Sequence, residues 1–471
     1  MPAAPVVLPS HDDPTVAAAT ELIGGPVGRH ARLGTSWWTP IRVMLLLVVL
    51  ASAFGVLLDQ PCRRSAWTDG TIQYTHGCYS DIVFLYWGRG IADGLVPYLD
   101  DPTTIGDEKV EYPVLTGAAM WVTGLLVPDS GSTQMRGKRY FDVNALVITL
   151  LAAVTVWATA RTAGSRQWDA AMVAVAPGVV LASTINWDMY AVALTSLAML
   201  AWARRHPFAA GLLLGLGAAA KFYPLLLLGP LLVLCVRTGQ WRALLRVVAG
   251  TAAAWLAVNV PVMVTSWDGW VRFYTLSRER GADFGSVWLV LSQKVDLPVH
   301  RLNVWGTVAL AVLCVGIALL GLMAHRRPRF AQLAFLVMAA FVLTNKVYSP
   351  QYVLWLIPLA VLARPRWLAF LLWQAAEVVY FFAVWWYIQG FTEPSSALPP
   401  WLYWVAIGVH VLATAAYAGL VVRDVIRPEH DPVRMRGDDD PSGGVLDGAP
   451  DRYSLRPLPS DNSFEAPLRV S

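Results

Sequence analysis

Between residues 40 and 422 the sequence passes through one apolar run after another, with little polar chain between them. The runs fall near 40–58, 113–128, 140–160, 168–184, 188–203, 207–220, 222–236, 243–264, 303–324, 330–344, 350–363, 367–388 and 401–422. A water-soluble domain has no interior large enough to hide so many. Only 14% of the 471 residues are charged, against about a quarter in a soluble domain. In lipid each backbone amide must find its partner within its own segment, which leaves helices as the form these runs can take. The chain is expected to be an all-α polytopic integral membrane protein with about 12–13 transmembrane helices. Its 22 Trp suit two long water–lipid boundaries.

Orientation follows from basic residues. Arg29, Arg32 and Arg42 mark the start of the first run as cytoplasmic, and this run reads as a retained signal anchor rather than a cleaved leader. Clusters at Arg161/Arg166, Arg204/Arg205, Arg237/Arg242/Arg246, Arg326/Arg327/Arg329, Arg364/Arg366 and Arg423/Arg427 are expected inside. The formal net charge of +4 is small, so these clusters speak to topology and not to nucleic acid. One conflict remains. If 113–128 and 140–160 both cross, the loop holding Arg161 lies outside. The run 113–128 is short for a hydrocarbon layer of about 30 Å, so a re-entrant or partial helix is expected there, although Arg136, Lys138 and Arg139 argue against it. Both termini are then cytoplasmic. Residues 1–38 and 423–471 are polar and expected to be disordered, flanking a membrane domain over 39–422.

Two outer loops stand out, 59–112 and 265–302. In the first, Ile82, Leu85, Tyr86, Ile91 and Leu95 follow Asp81 near helical spacing, interrupted by Gly88, Gly90 and Gly94. The pattern predicts a short amphipathic helix on the bilayer surface with Asp81 at its start. Cys62 and Cys78 precede it and can close a small disulfide ring if the loop faces an oxidising space; two free thiols are the alternative. Only His76 lies near them, too few ligands for a metal.

With this orientation polar residues gather on the outer face. They are Asn186 and Asp188 in one turn, Lys221 and Tyr223 in a second, and Lys346, Tyr348 and Gln351 in a third. Arg272, Arg278, Arg280 and His300 lie in the loop 265–302. Each has an ordinary explanation as a cap, a snorkelling chain or a lipid-headgroup contact. Together they place cations suited to a phosphate beside carboxylates suited to hydroxyl activation. Glu377, inside LLWQAAEVVYFFAVWW, is the most isolated acid, with Lys346 or Lys221 as its expected partner.

At these residues the sequence resembles the polyprenyl-phosphate-sugar-dependent mannosyltransferases of glycosyltransferase family 87, known from actinobacteria, which have the GT-C fold. The matching pieces are Asp81 in the first outer loop, Pro97-Tyr98, Glu111-Tyr112-Pro113, and Asn186 with Asp188. AAGLLLGLGAAAKFYPLLLL (209–228) and YSPQYVLWLIPL (348–359) complete the set. The likeness covers roughly residues 40–420. It implies Asp81 as catalytic base, with Lys221, Lys346, Arg272, Arg278, Arg280 and His300 as candidates for the donor phosphate. Glu111, Tyr112, Tyr98, Asn186, Asp188, Tyr223, Tyr348 and Gln351 become candidates for sugar or acceptor. The implied reaction moves a hexose, mannose by resemblance, to a hydroxyl of a glycolipid or glycan at the outer face of the plasma membrane, inverting to an α linkage. The acid stands as Tyr79-Ser80-Asp81, without the Asp-x-Asp or Glu-x-Asp pair of some GT-C families, so no metal is expected. Other readings keep the fold and change the sugar, to arabinose for example, or make the chain a lipid transporter. In the transporter Asp81 is dispensable and charges line a path through the bilayer.

Overall fold

A computed structural model of the chain describes residues 6–7, 13–29, 37–101, 108–436 and 439–455. Among the described residues all regular structure is helical. After α1 (Pro14–Arg29) the first long helix is α2 (Pro40–Leu58), capped by the Thr39 side chain. The first loop contains α3 (Asp81–Gly88), and α4 (Val114–Leu125) leads to α5 (Thr133–Thr162). Then come α6 (Asp188–Ala203), α7 (Pro207–Ala220), α8 (Leu228–Thr238) and α9 (Trp241–Thr265). The second loop carries α10 (Trp267–Glu279). The bundle finishes with α11 (Val299–Met323), α12 (Phe330–Thr344), α13 (Val353–Ala363), α14 (Trp367–Thr392) and α15 (Pro400–Ile426). Six helices, α2, α5, α9, α11, α14 and α15, are long and apolar enough to cross a membrane, and shorter apolar helices pack among them. The expected run 168–184 is not one helix, because Pro177 starts a new segment after Ala171–Ala174.

Contacts between helix ends sort the bundle into two faces. Asp59, just past α2, accepts from Thr184 Oγ1 at 2.8 Å, so the end of α2 and the turn before α6 share a face with the first loop. We call this the site face. At the opposite face Arg237 donates to the carbonyls of Gly321 and Ala324, and Arg329 to those of Leu362 and Ala363.

The helix α4 resolves the parity conflict. Twelve residues reach only about 18 Å at 1.5 Å per residue, and the chain then returns to the site face. There Lys138 Nζ donates to Arg64 O at 3.2 Å and Arg139 to Ser130 O at 2.7 Å, while Arg136 donates to Ala92 O. These cations, which pointed the other way in the sequence, tie loop carbonyls together on the site face.

Both ends of the described chain depart from the expectation of disordered tails. Asp13 is buried; one carboxylate oxygen caps α1 through Thr15 N and the other accepts from Trp367 N at 2.9 Å. Beyond α15 the chain crosses the opposite face as a strap. Asp431 is fully buried against Arg329 at 2.8 Å, Asp451 pairs with Arg237 and Arg327, and Trp202 Nε1 donates to Gly443 O. Composition missed this because the strap buries few apolar side chains. It is ordered by arginines that emerge at helix ends and need partners. The remaining parts of 1–38 and 423–471 lie outside the described residues.

The repeated glycines of 209–228 have a packing role. A Cβ on Gly211 would lie 2.1 Å from Val247 O, and one on Gly215 would lie 2.3 Å from Thr251 O. Small residues four apart thus let α7 and α9 touch backbone to backbone. This fixes where α7 ends, at Ala220, whose carbonyl accepts from Thr116 Oγ1 at 2.7 Å. Lys221 follows in extended conformation, turned out of the helix into the site.

Candidate active site

The site is built around Asp81. Ser80 caps α3 by accepting from Ile82 N, and its hydroxyl donates to Thr184 O at 2.6 Å. Asp81 N–H donates to Ile185 O at 2.7 Å. The start of α3 is thereby clamped to the turn that carries Asn186 and Asp188. The helix is shorter than expected and lies within the protein, where Ile82 and Tyr86 are buried and Tyr86 stacks on Tyr140. It stops at Gly88, and Gly90 and Gly94 turn the chain at positive φ.

The Asp81 carboxylate accepts from the Tyr79 hydroxyl at 2.7 Å and from the Tyr112 hydroxyl at 3.3 Å. Burial pushes its pKa above the ordinary carboxylate value. The Tyr79 hydrogen bond, the charge of Lys221, the Tyr112 hydroxyl and the Asn186 amide pull the other way, and burial wins. Asp81 still keeps part of its surface open. An accessible carboxylate with a lifted pKa suits a general base.

Asp188 and Lys221 form the second layer. Asp188 is 1% exposed; it accepts from Trp355 Nε1 at 2.7 Å and lies 3.2 Å from Lys221 Nζ. Its amide donates to Asn186 Oδ1 at 3.1 Å. Lys221 also stands 5.0 Å over the Tyr112 ring. One ammonium therefore holds a buried acid on one side and one of Asp81's hydroxyl partners on the other.

The remaining candidates divide by position. Arg280 is an exposed cation held by Asp283 through Nε at 2.6 Å; its charge reaches Tyr79, Tyr112 and Tyr352. Lys346 donates to Asn303 Oδ1 at 2.6 Å and to Arg278 O at 3.2 Å. It lines a cavity of about 200 Å³ with Ser277, Asn303, Thr307, Phe341 and Asn345. Burial and the Arg280 charge both depress its pKa.

Other residues do structural work. Glu111 is engaged by Arg89 through two bonds of 2.6 and 2.8 Å, and Arg272 by Glu108. Tyr98, at φ 71°, donates to the carbonyls of Tyr112 and Pro113, a brace that sets Tyr112. Tyr223 is buried, its hydroxyl accepting from Thr195 and its ring stacked on Trp355. Tyr348 is buried beside Glu377, and Gln351 is buried in the turn before α13. Arg278 and His300 are exposed, and no contact joins their side chains to Asp81. Cys62 and Cys78 are bonded to each other, with Trp67 donating to Cys78 O.

One expected pairing changes and one residue was missed. Glu377 meets neither Lys346 nor Lys221. It accepts from Tyr348, Trp373 and Thr414 and faces His410 Nδ1 at 3.5 Å. Tyr79 was not foreseen as a site residue, although it stands where an Asp-x-Asp pair would place its first acid.

Residues 112–344 match glycosyltransferase family 87. The chain belongs to this family. Among its site residues, Tyr112, Asn186, Asp188, Lys221 and Arg280 lie within the matched stretch, while Asp81 precedes it and Lys346 follows it. No curated protein matches the sequence. The family assignment and the helical bundle make the chain a membrane glycosyltransferase.

Proposed function

We propose that this family 87 enzyme transfers a hexose, mannose by the resemblance of its motifs, from a polyprenyl-phosphate sugar to a hydroxyl of a glycolipid or glycan. The observation that carries the reading is Asp81: a carboxylate made more basic by burial, on a residue that keeps part of its surface open, oriented by Tyr79 and Tyr112, with the Lys221 charge beside it. The acceptor hydroxyl gives its proton to Asp81 as its oxygen bonds to C1. The C1–phosphate bond breaks on the far side and polyprenyl phosphate leaves with the electron pair. A β-linked donor thus yields an α-glycoside.

Lys221 is committed to Asp188 and Tyr112, so the charge growing on the phosphate falls to Arg280, with Lys346 in the neighbouring cavity. Stabilising charge where it develops is the larger share of such catalysis. The lipid tail runs beside α11, whose apolar stretch is only 6% buried and so faces lipid. The Tyr79 hydroxyl at the place of a second acid supports metal-independent chemistry, with Lys and Arg serving the phosphate. The arginine-rich face is cytoplasmic by the charge rule, which puts the site on the outer side of the plasma membrane.

The test is a membrane assay with radiolabelled polyprenyl-phosphate-mannose, in parallel with polyprenyl-phosphate-arabinose. Label entering a glycolipid or glycan from the mannose donor supports the reading, and transfer only from the arabinose donor changes the sugar. Label crossing vesicles without any transfer would refute the transferase reading in favour of a carrier.

A further inference from the structure

The mechanism leaves one buried polar cluster unused. Glu377 and Gln374 on α14, His410 and Thr414 on α15, and Tyr348 and Tyr380 form a polar island in an apolar interior, with His410 fully buried. Glu377 Oε1 takes three donors, from Tyr348, Trp373 and Thr414, at 3.2–3.3 Å. Its other oxygen faces His410 Nδ1 at 3.5 Å. The imidazole is stacked on Tyr380 with ring centres 3.9 Å apart, so it has one orientation. Its Nε2 lies 3.0 Å from Gly285 O. A carbonyl only accepts, so Nε2 carries the proton and His410 is a donor aimed out of the bundle at one peptide of the second outer loop.

That peptide is gripped from every side. Gly285 N–H donates to the Tyr403 hydroxyl at 3.0 Å. Its φ is +77°, and a Cβ there would lie 2.1 Å from Tyr348 O and 2.2 Å from the Tyr380 oxygen. Just before it, Asp283 N donates to Lys346 O at 2.8 Å, and Phe284 O accepts from Tyr348 N at 3.0 Å. Asp283 then holds Arg280, whose charge reaches the two tyrosines that hydrogen-bond Asp81.

We infer that His410, held in place by the Tyr380 ring, is a positioning residue for Arg280. It sets the height of the Gly285 peptide, and with it the Asp283 carboxylate that holds Arg280. The inference rests on Arg280 serving the donor phosphate, as proposed above.

A double-mutant cycle on the full-length protein tests it, using Arg280→Ala, His410→Phe and the double variant, compared at equal amounts of folded protein. Each single variant should lose about ten- to a hundred-fold in kcat/KM for the donor, the scale of losing one hydrogen bond to a charged group. The double variant should be no worse than Arg280→Ala alone, and His410→Gln, whose amide can still donate to Gly285 O, should recover most of the loss. A mainly structural role would make the losses multiply and leave His410→Gln as poor as His410→Phe. Either result, or a wild-type rate in His410→Phe, overturns the inference.

If His410→Phe does not accumulate as folded protein, Tyr403→Phe takes its place. It removes the hydroxyl that accepts from Gly285 N–H, the other hold on the same peptide, and is held to the same non-additivity. A wild-type rate in Arg280→Ala would remove the phosphate role and the inference together, while loss of transfer in Asp81→Asn would still uphold the transferase. If no polyprenyl-phosphate sugar is a donor, the cycle is read as thermal stabilisation by undecaprenyl phosphate. Arg280→Ala and His410→Phe should then lose the same stabilisation, and unequal losses would overturn the inference.

Discussion

Replacing Asp81 with asparagine separates its chemistry from its place in the fold. The amide has the shape of the carboxylate, keeps an acceptor for Tyr79 at 2.7 Å, and meets the Tyr112 hydroxyl, which can accept from it. It cannot take a proton from an acceptor hydroxyl. A positioned base contributes about 10²–10⁴-fold, so transfer should fall by that factor with little change in donor KM. Stability should move the other way. Burial raises the Asp81 pKa in the fold. The stability tied to this group is therefore present below its unfolded pKa and lost as pH rises through the raised folded value. Once ionised, the carboxylate is a burden on the fold that asparagine lifts, and every tenfold gain in the proton affinity of the folded state corresponds to about 1.4 kcal/mol. The assay is initial-rate transfer of labelled sugar beside a thermal melt at pH 7. Near-wild-type transfer would refute the base assignment, and a markedly lower Tm would show Asp81 to be structural. The pH–rate profile gives an independent reading. Its acidic limb should lie above the ordinary aspartate range, near about 4, and Tyr79→Phe, which removes a hydrogen bond that lowers the pKa, should move it higher.

Other outcomes follow from the ion pairs and the cross-link. Lys221→Met strands Asp188, which is 1% exposed, and should cost about 3–5 kcal/mol in stability. A melt should show recovery in Lys221→Met/Asp188→Asn. Asp431→Ala strands Arg329 at the opposite face, with a loss of about the same size expected in detergent melts. Cys62→Ser/Cys78→Ser opens a link of sequence separation 16, worth about 3 kcal/mol for a loop of that size. Reductant should lower the wild-type Tm similarly and leave the double variant unmoved.

The helical membrane architecture was legible because apolar runs act over whole helices. So was the partial helix at 113–128, after which Arg136 and Lys138 reach carbonyls of the first loop. Asp81, Asn186, Asp188 and Lys221 were legible as a group because three different turns had to share one face. What each does inside the group was not. Tyr98, Tyr223 and Tyr348 look like ligands in sequence, yet their hydroxyls are spent on backbone carbonyls, Thr195 and Glu377. Glu111 looks free until Arg89, 22 residues earlier, closes on it. Pairings across such distances depend on tertiary packing, to which local pattern is blind. The same holds for the polar tail, whose order comes from arginines it meets only in the finished bundle.

The strap across the opposite face has a consequence for how the protein is made. Asp431 and Asp451 are synthesised after every membrane helix, yet they neutralise Arg329, Arg237 and Arg327, which sit at the ends of earlier ones. Until the strap arrives, those arginines have only water and their neighbouring carbonyls as partners. Arrival of the strap closes these pairs, so the opposite face reaches its final form only after the last helix has been made.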